Sequence, residues 1–388
     1  MVEKNLNVRP IADWLDAGAA PARQPAEVLL HLCHRLLALG ISLHRVAVFV
    51  RTLHPNVAGR GFIWHAARDA VEVTVAPVGI QETEIYLKSP IRVVYTQQVE
   101  VRRRIGDPAC PMDFPILDDM RAEGATDFLA VPVRFLNGEV HAASFVTAQP
   151  GGFTEADLDA LRAIMPPFSR VAEIYALRRL AQNILEAYLG RQAGDKVLAG
   201  SIWRGDAEQI HAVIWFCDLR ESTPLAESMS RAAFLGLLNE FFDCVLTPVL
   251  ERGGEVLRFI GDAALAIFPV GDDPAEACRI AAEAARDAVS RMQALNAKRT
   301  TPLGFGIGLH LGDLTYGNIG TPTRIEFTVV GAAANEAARI EGLCKTLEVN
   351  VLVSERVARH LAVALRSLGR HVLRGVGEPV EVFTPTDP

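Results

Sequence analysis

Cysteine is scarce and scattered in this chain. The six residues, at positions 33, 110, 217, 244, 278 and 344, have neither the paired spacing of a zinc site nor the density of a disulfide framework. Such usage fits a reducing, cytoplasmic setting. His31, Cys33 and His34 group three ligand-type side chains, but no second pair follows, so they are expected to flank a packed helix. Long unbroken apolar runs are also missing. The most apolar early stretch, residues 28–43, is interrupted by His31, His34 and Arg35, and the opening residues carry no signal-peptide pattern, so neither a membrane span nor export is expected. Nor is there a basic excess. With 39 Lys and Arg against 46 Asp and Glu the net charge is −7, and the acids are dispersed, which argues against nucleic acid as a partner.

What the chain does have is length and apolar mass. At 388 residues, half of them hydrophobic, it can build two ordinary domains with sizeable cores. Its most informative stretch runs from Ala212 to Pro224. Residues 212–216 form a short apolar run of the kind expected for a strand covered on both faces. Ser222, Thr223 and Pro224 then look like an N-cap pair and a first helical turn. Asp218 therefore falls where a buried strand gives way to a helix. In an α/β sheet that edge is where ligands bind, and the amides entering the helix favour an anion. A carboxylate beside an anion site needs a cation between them, most simply a divalent metal carrying a phosphate.

A second acid fits the same scheme. Residues 253–268 read as two strands joined at Gly261 and Asp262, a hairpin with an acidic tip. If it lies beside the first strand, Asp218 and Asp262 face one cleft and can hold the two metals of an in-line displacement at phosphorus. Taken singly, each acid has a plainer reading, Asp262 as a turn residue and Asp218 as a helix cap. A third segment adds weight to the first reading. Residues 323–331 are strand-like, residues 332–347 are rich in helix formers, and Asn335 and Arg339 stand four apart on one helix face.

Four ordered stretches resemble the class III nucleotidyl cyclases. They are Phe216 to Thr223, Arg258 to Asp262, the glycine-patterned Gly306 to Gly312 with Gly317 to Gly320, and Phe327 to Gly331 followed by Asn335 and Arg339. The resemblance covers roughly residues 210–383. It implies that Asp218 and Asp262 bind two magnesium or manganese ions per active site, with the Leu219 carbonyl as a further ligand. Amides from Arg220, Glu221, Ser222 and Thr223 would cradle the β and γ phosphates. Asn335 would position the ribose, and Arg339 would meet the α-phosphate as charge builds in the transition state. Arg374 matches a basic position that reaches the triphosphate. The family builds its pocket between two chains, so a homodimer with two equivalent sites is implied.

Base choice rests on Arg258 and Thr328. Thr328 fits the adenine-reading members, whereas Arg258 departs from their lysine while still able to donate to adenine N1. ATP is the expected substrate and GTP the competitor. Glu221, where the loop usually carries glycine, and Ala332, where an acid often follows Gly331, depart from the pattern without removing metal or transition-state groups. A catalytically silent nucleotide-binding module is the alternative of a different class. A diguanylate cyclase would need a Gly-Gly-Asp/Glu-Glu-Phe signature where this chain has Ile260, Gly261 and Asp262.

The fold expected is α+β throughout. Residues 206–388 alternate strand and helix in the order of a ferredoxin-like palm, with strands near 211–216, 255–268, 304–311, 314–319, 323–330 and 349–353. Helices fill the interval after 224, residues 274–298 and residues 332–347. Residues 1–165 suggest a GAF/PAS-like α+β sensor domain. Its expected parts are a helix over 26–39, strands at 45–52 and 71–75, a hairpin of 127–135 and 140–147 turning at Asn137 and Gly138, and a helix opened by Thr154 and Asp157. Phe62, Trp64 and His65 are expected in its core or around a pocket, and Cys110 in a loop. No residue set names the small-molecule or protein signal that the domain receives. Residues 166–205 form a helical signalling linker, with an apolar stripe from Val171 to Tyr188, followed by a loop or hinge over 190–205.

Overall fold

A computed structural model of the chain describes residues 6–386, which divide into two units that meet between Ile184 and Leu185. The first unit is built on one antiparallel sheet. Its strands are β1 (Arg45–Arg51), β2 (Val57–His65), β3 (Ala70–Pro77), β4 (Val101–Arg103), β5 (Asp127–Arg134) and β6 (Val140–Thr147), in the spatial order β3-β2-β1-β6-β5-β4. The side-chain period of two sorts β5 between two cores. Leu129 and Val131 pack with the helices Pro25–Ala38 and Glu155–Leu189, and Phe128 and Ala130 with residues of Pro90–Gln97 and Ile116–Ala122. The hairpin turns at Asn137 and Gly138 as the sequence indicates, with Gly138 at φ +87°. Trp64 is core, and its indole N–H donates to Asp69 at 3.2 Å.

Helix Glu155–Leu189 opens with a reciprocal cap. Asp157 N–H donates to Thr154 Oγ1 at 3.2 Å, and Thr154 N–H donates to the Asp157 carboxylate at 2.9 Å. The helix then continues through Pro166 and Pro167 for 35 residues, across the 165/166 boundary drawn between the sensor domain and the helical linker. Each proline forfeits one backbone donor. Leu161, Ile164, Met165, Phe168 and Val171 nevertheless belong to one buried face, and that packing carries the helix across.

The second unit holds β7 (Ala207–Leu219), β8 (Glu255–Ile260), β9 (Ala263–Pro269), β10 (Phe305–Gly320), β11 (Ile325–Val330), β12 (Val351–Ser354), β13 (Leu365–His371) and β14 (Val380–Pro385). They lie in the order β13-β14-β12-β10-β7-β9-β8, and β11 pairs with β10. The run β10-β7-β9-β8 with two crossover helices is the ferredoxin-like palm. Helices Arg231–Glu251 and Pro274–Asn296 pack on the face of Val213, Trp215 and Cys217. Arg231–Glu251 is long and apolar enough to cross a membrane by length and composition; Leu237, Phe241, Val245 and Val249 bury its inner stripe in the palm core.

Two expectations change here. β10 is one strand of 16 residues, not two, because its pairing with β7 runs unbroken through Gly312↔Ala212 and Asp313↔His211. Across that register Asp313 holds His211 at 2.7 Å. Residues 190–205 are not simply a loop, since Arg191–Leu198 is a helix. Gly190, at φ +82°, separates it from the preceding helix, and the buried Glu255 carboxylate accepts the Ala193 N–H at 3.2 Å. That cap comes from a residue distant in sequence.

Candidate active site

Asp218 stands on the β7 face opposite Trp215 and Cys217, flanked by Ala263 on β9 and Gly306 on β10. Asp262 occupies the tight turn from β8 to β9, where Gly261 takes φ +66°. The Leu219 N–H donates to the Asp262 carbonyl at 3.3 Å and ties the turn to the end of β7. Burial, then the Asp262 charge and hydrogen bonding to it, push the Asp218 carboxyl up to about 6, with the Leu219 amide acting the other way. Asp218 Oδ1 is buried with no hydrogen-bond partner.

A third acid, absent from the sequence expectations, lies behind this pair. Helix Ala332–Thr346 rests on β10 over glycines: a Cβ at Gly308 would meet the Ala337 carbonyl and the Glu341 N–H at 2.6 Å, and one at Gly306 would run into the Glu341 carboxylate. Glu341 is 8% exposed. Burial first, then Asp218, push its carboxyl up to about 7, with Arg220 opposing. The signal was present as the four-residue spacing of 333, 337 and 341, which places Glu341 on the inward stripe.

The loop after β7 corrects two readings. Glu221, at φ +58°, is the residue that opens the helix Ser222–Ser228, so Ser222 and Thr223 are helical rather than an N-cap pair. The Arg220 N–H already donates to the Gly304 carbonyl at 2.9 Å, which removes it from any phosphate cradle. The Arg220 guanidinium reaches the Val349 carbonyl. The N–H groups of Ser222 and Thr223 begin the helix and have no partner within it.

Asn335 and Arg339 do not join the acids within one chain. Ala333, Ala337 and Glu341 face β10, and each step of two residues rotates about 200° around the helix, so Asn335 and Arg339 point away from the sheet. Asn335 is exposed and Arg339 half-buried. The Arg339 guanidinium lies 3.7 Å from where a Cβ on Gly375 would stand, which brings it to the loop of Arg374. Arg258 and Thr328 lie on β8 and β11. Arg258 is ion-paired with Glu326 at 3.2 Å, and Thr328 Oγ1 is buried without a partner. Glu326 was not singled out in the sequence, because its closeness to Arg258 depends on β11 folding back along β10.

Residues 206–384 match the model of the adenylate and guanylate cyclase catalytic domain. Residues 206–384 form a class III nucleotidyl cyclase catalytic domain. An adenylate cyclase of Anabaena cylindrica is 33% identical to the chain over 187 residues, covering 46% of this chain and 37% of that protein. An uncharacterized protein of Mycobacterium tuberculosis is 35% identical over 207 residues, covering 51% and 37%. The chain thus spans little more than a third of the length of these curated relatives. Among solved structures, the adenylyl cyclase CyaB from P. aeruginosa aligns with TM-score 0.43 and 24% identity over 47% of this chain and 97% of that one. The guanylyl cyclase Cya2 aligns with TM-score 0.41 and 24% identity over 48% and 97%.

In this cyclase domain the donor set suits a hard divalent cation. Two neighbouring carboxyls, one with a buried oxygen lacking any partner, are oxygen ligands that a metal would satisfy. Among the described residues no group of three or more His, Cys, Asp and Glu side chains is placed to hold a metal. A cation held at this pair would take its remaining ligands from main-chain oxygens, water or phosphate.

Proposed function

We propose that the protein converts ATP to 3′,5′-cyclic AMP and pyrophosphate, at two equivalent sites shared between two copies of the chain. The observation that carries this reading is the contact of Asp218 with Asp262 at the mouth of the palm. The ribose 3′ oxygen attacks the α-phosphorus, the bond from that phosphorus to the pyrophosphate oxygen breaks, and the hydroxyl proton is lost to solvent or substrate. Two magnesium or manganese ions, held by Asp218 and Asp262 with the Leu219 carbonyl, would lower the hydroxyl pKa and neutralise phosphate charge.

The chain's own groups do the rest. The Ser222 and Thr223 amides, at a helix start, receive the β and γ phosphates, with Glu221 setting the loop's left-handed turn. Asn335 orients the ribose. Arg339 meets the α-phosphate where charge accumulates, and Arg374, beside it, reaches the triphosphate. Thr328 and Arg258 read the base.

The shared site is supported by the helix geometry, which turns Asn335 and Arg339 away from the acids of their own chain. It is also supported by exposed apolar groups around the palm: Phe259 and Ile260 near the β8 tip, Ile319 and Ile325 on the β10–β11 hairpin, and Val372. On helix Glu155–Leu189, Ile174, Leu177, Ile184 and Tyr188 are exposed in the same way, as a signalling helix awaiting a twin would be.

GTP is the second reading, favoured by Glu326. Its carboxylate beside Arg258 supplies an acceptor as well as a donor, a combination that can also pair with guanine N1–H and O6. Incubating the purified chain with ATP or GTP and either metal, with products identified by chromatography, separates the readings. Cyclic AMP from ATP supports the proposal, cyclic GMP from GTP alone supports the second, and tight binding without turnover makes the module silent.

A further inference from the structure

A cavity of about 600 Å³ opens in the first unit. That size lies within the roughly 300–1,000 Å³ of small-molecule sites. Val28, Leu29, Val48, Phe168 and Val171 give it an apolar floor from the buried core. Its walls carry charge of one sign. Arg23, Arg51, Arg60, Arg178 and Arg179 all line it and no Asp or Glu does, in a chain whose net charge is −7.

Four other arginines of the unit are matched to acids: Arg102 to Asp127 at 2.8 Å, Arg103 to Asp113 at 2.5 Å, Arg162 to Glu100 at 2.7 Å and Arg170 to Asp16 at 2.6 Å. The cavity arginines are not. Arg51 donates to the Val140 carbonyl and stacks on Tyr95, but the side chains of Arg23, Arg60, Arg178 and Arg179 have no ion-pair partner among the described residues. Arg60 is half-buried, and burial followed by the Arg179 charge holds its guanidinium below the ordinary arginine pKa. Like charges held beside an apolar floor repel one another, and a bound anion removes that repulsion while gaining charge-assisted hydrogen bonds.

We propose that this cavity binds a small organic anion, a carboxylate or phosphate ester on an apolar body, with its charged group between Arg60 and Arg179 and its body on the Val48 and Phe168 floor. A bare inorganic ion would leave the floor wet, and a neutral apolar molecule would leave the guanidinium groups unpaired. Arg60 belongs to β2, whereas Arg178 and Arg179 belong to helix Glu155–Leu189, so the bound anion ties that helix to the sheet. The site stands apart from the cyclase chemistry and holds whether or not the chain turns over a nucleotide.

The test is a fluorescence titration of the full chain with 8-anilinonaphthalene-1-sulfonate and with its neutral counterpart, N-phenyl-1-naphthylamine. The neutral probe is needed because a second cavity, of about 740 Å³ among Phe49, Tyr86, Ile91 and Met120, shares Arg51 and Arg60 with the first and can take either dye; Ala176 and Arg179 line the first alone and tell the two apart. The sulfonate should bind in a salt-dependent way and lose at least about tenfold in affinity in Arg60→Gln/Arg179→Gln, with neutral-dye binding unchanged. Ala176→Trp, which fills the cavity and leaves every arginine in place, should weaken the sulfonate as well. Displacement by octanoate or by octyl phosphate then tells which headgroup is preferred. Equal sulfonate binding by parent and double variant, both folded by circular dichroism, would overturn the proposal, as would a sulfonate site insensitive to Ala176→Trp.

Discussion

Gly308 lies so close under Ala337 that a Cβ on the glycine would meet the helix carbonyl at 2.6 Å. The obstacle is backbone, so no rotamer change relieves it. Gly308→Ala should therefore lift helix Ala332–Thr346 from β10 at a cost of about 1–3 kcal/mol. Because that helix carries Asn335 and Arg339, turnover should fall with it. Thermal unfolding and cyclase rates measured on the same preparation check this. A variant with unchanged melting temperature and unchanged rate would mean that the helix is not seated on β10 as described.

The acids at the cleft give a pH dependence whose sign is fixed. Asp218 is pushed up to about 6 and Glu341 up to about 7, both above the roughly 4 of an unfolded carboxyl. The folded chain thus holds these protons more tightly than the unfolded one. Their stabilising effect is fully present below pH 4 and is lost as pH rises through about 7. In EDTA the melting temperature should fall across that window, and manganese should raise it more at pH 8 than at pH 5. Asp218→Asn should flatten the slope and abolish most of the manganese shift. A manganese shift that survives that change would remove Asp218 from the metal site.

Glu255 is 4% exposed and accepts from Tyr316 Oη at 2.9 and 3.0 Å and from the Ala193 N–H at 3.2 Å. Tyr316→Phe deprives a buried carboxylate of its best donor, a loss worth about 1–3 kcal/mol. The helix Arg191–Leu198 depends on the same carboxylate. Limited proteolysis should therefore cut between 190 and 200 faster in the variant, with urea unfolding shifted to lower concentration. Equal cleavage rates would show that the Glu255 cap does not hold that helix.

The placement of two acids at the strand ends was legible from the residues alone, because an apolar run ending at an acid and a Gly-Asp turn are both local signals. Asp218 and Asp262 meet as that reading expected. The length of β10 was not legible: Gly312 and Asp313 resemble a break, and only pairing with β7 shows that the strand passes through them. The role of the Arg220 amide was hidden for a similar reason, since its acceptor, Gly304, arrives by a strand much later in the chain. Glu341 could have been found from its helical spacing, but its burial depends on two glycines of a neighbouring strand.

Base selection should respond to the Arg258–Glu326 pair. Arg258→Gln keeps a donor but releases Glu326, and the ratio of kcat/KM for ATP over GTP should change by about tenfold or more, as expected when a site's hydrogen-bonding pattern is altered. Steady-state kinetics with both nucleotides measure it. A ratio unchanged in the variant would place base recognition elsewhere.

The shared site is tested most directly by mixing two inactive variants. Asp218→Ala keeps Asn335 and Arg339, and Arg339→Ala keeps both acids, so a heterodimer assembles one intact site from the two undamaged halves. Mixed at equal amounts, the two should recover about a quarter of the parent rate, since half of the dimers are mixed and each has one of two sites. No recovery, with both variants folded and dimeric by light scattering, would contradict a site built from two chains.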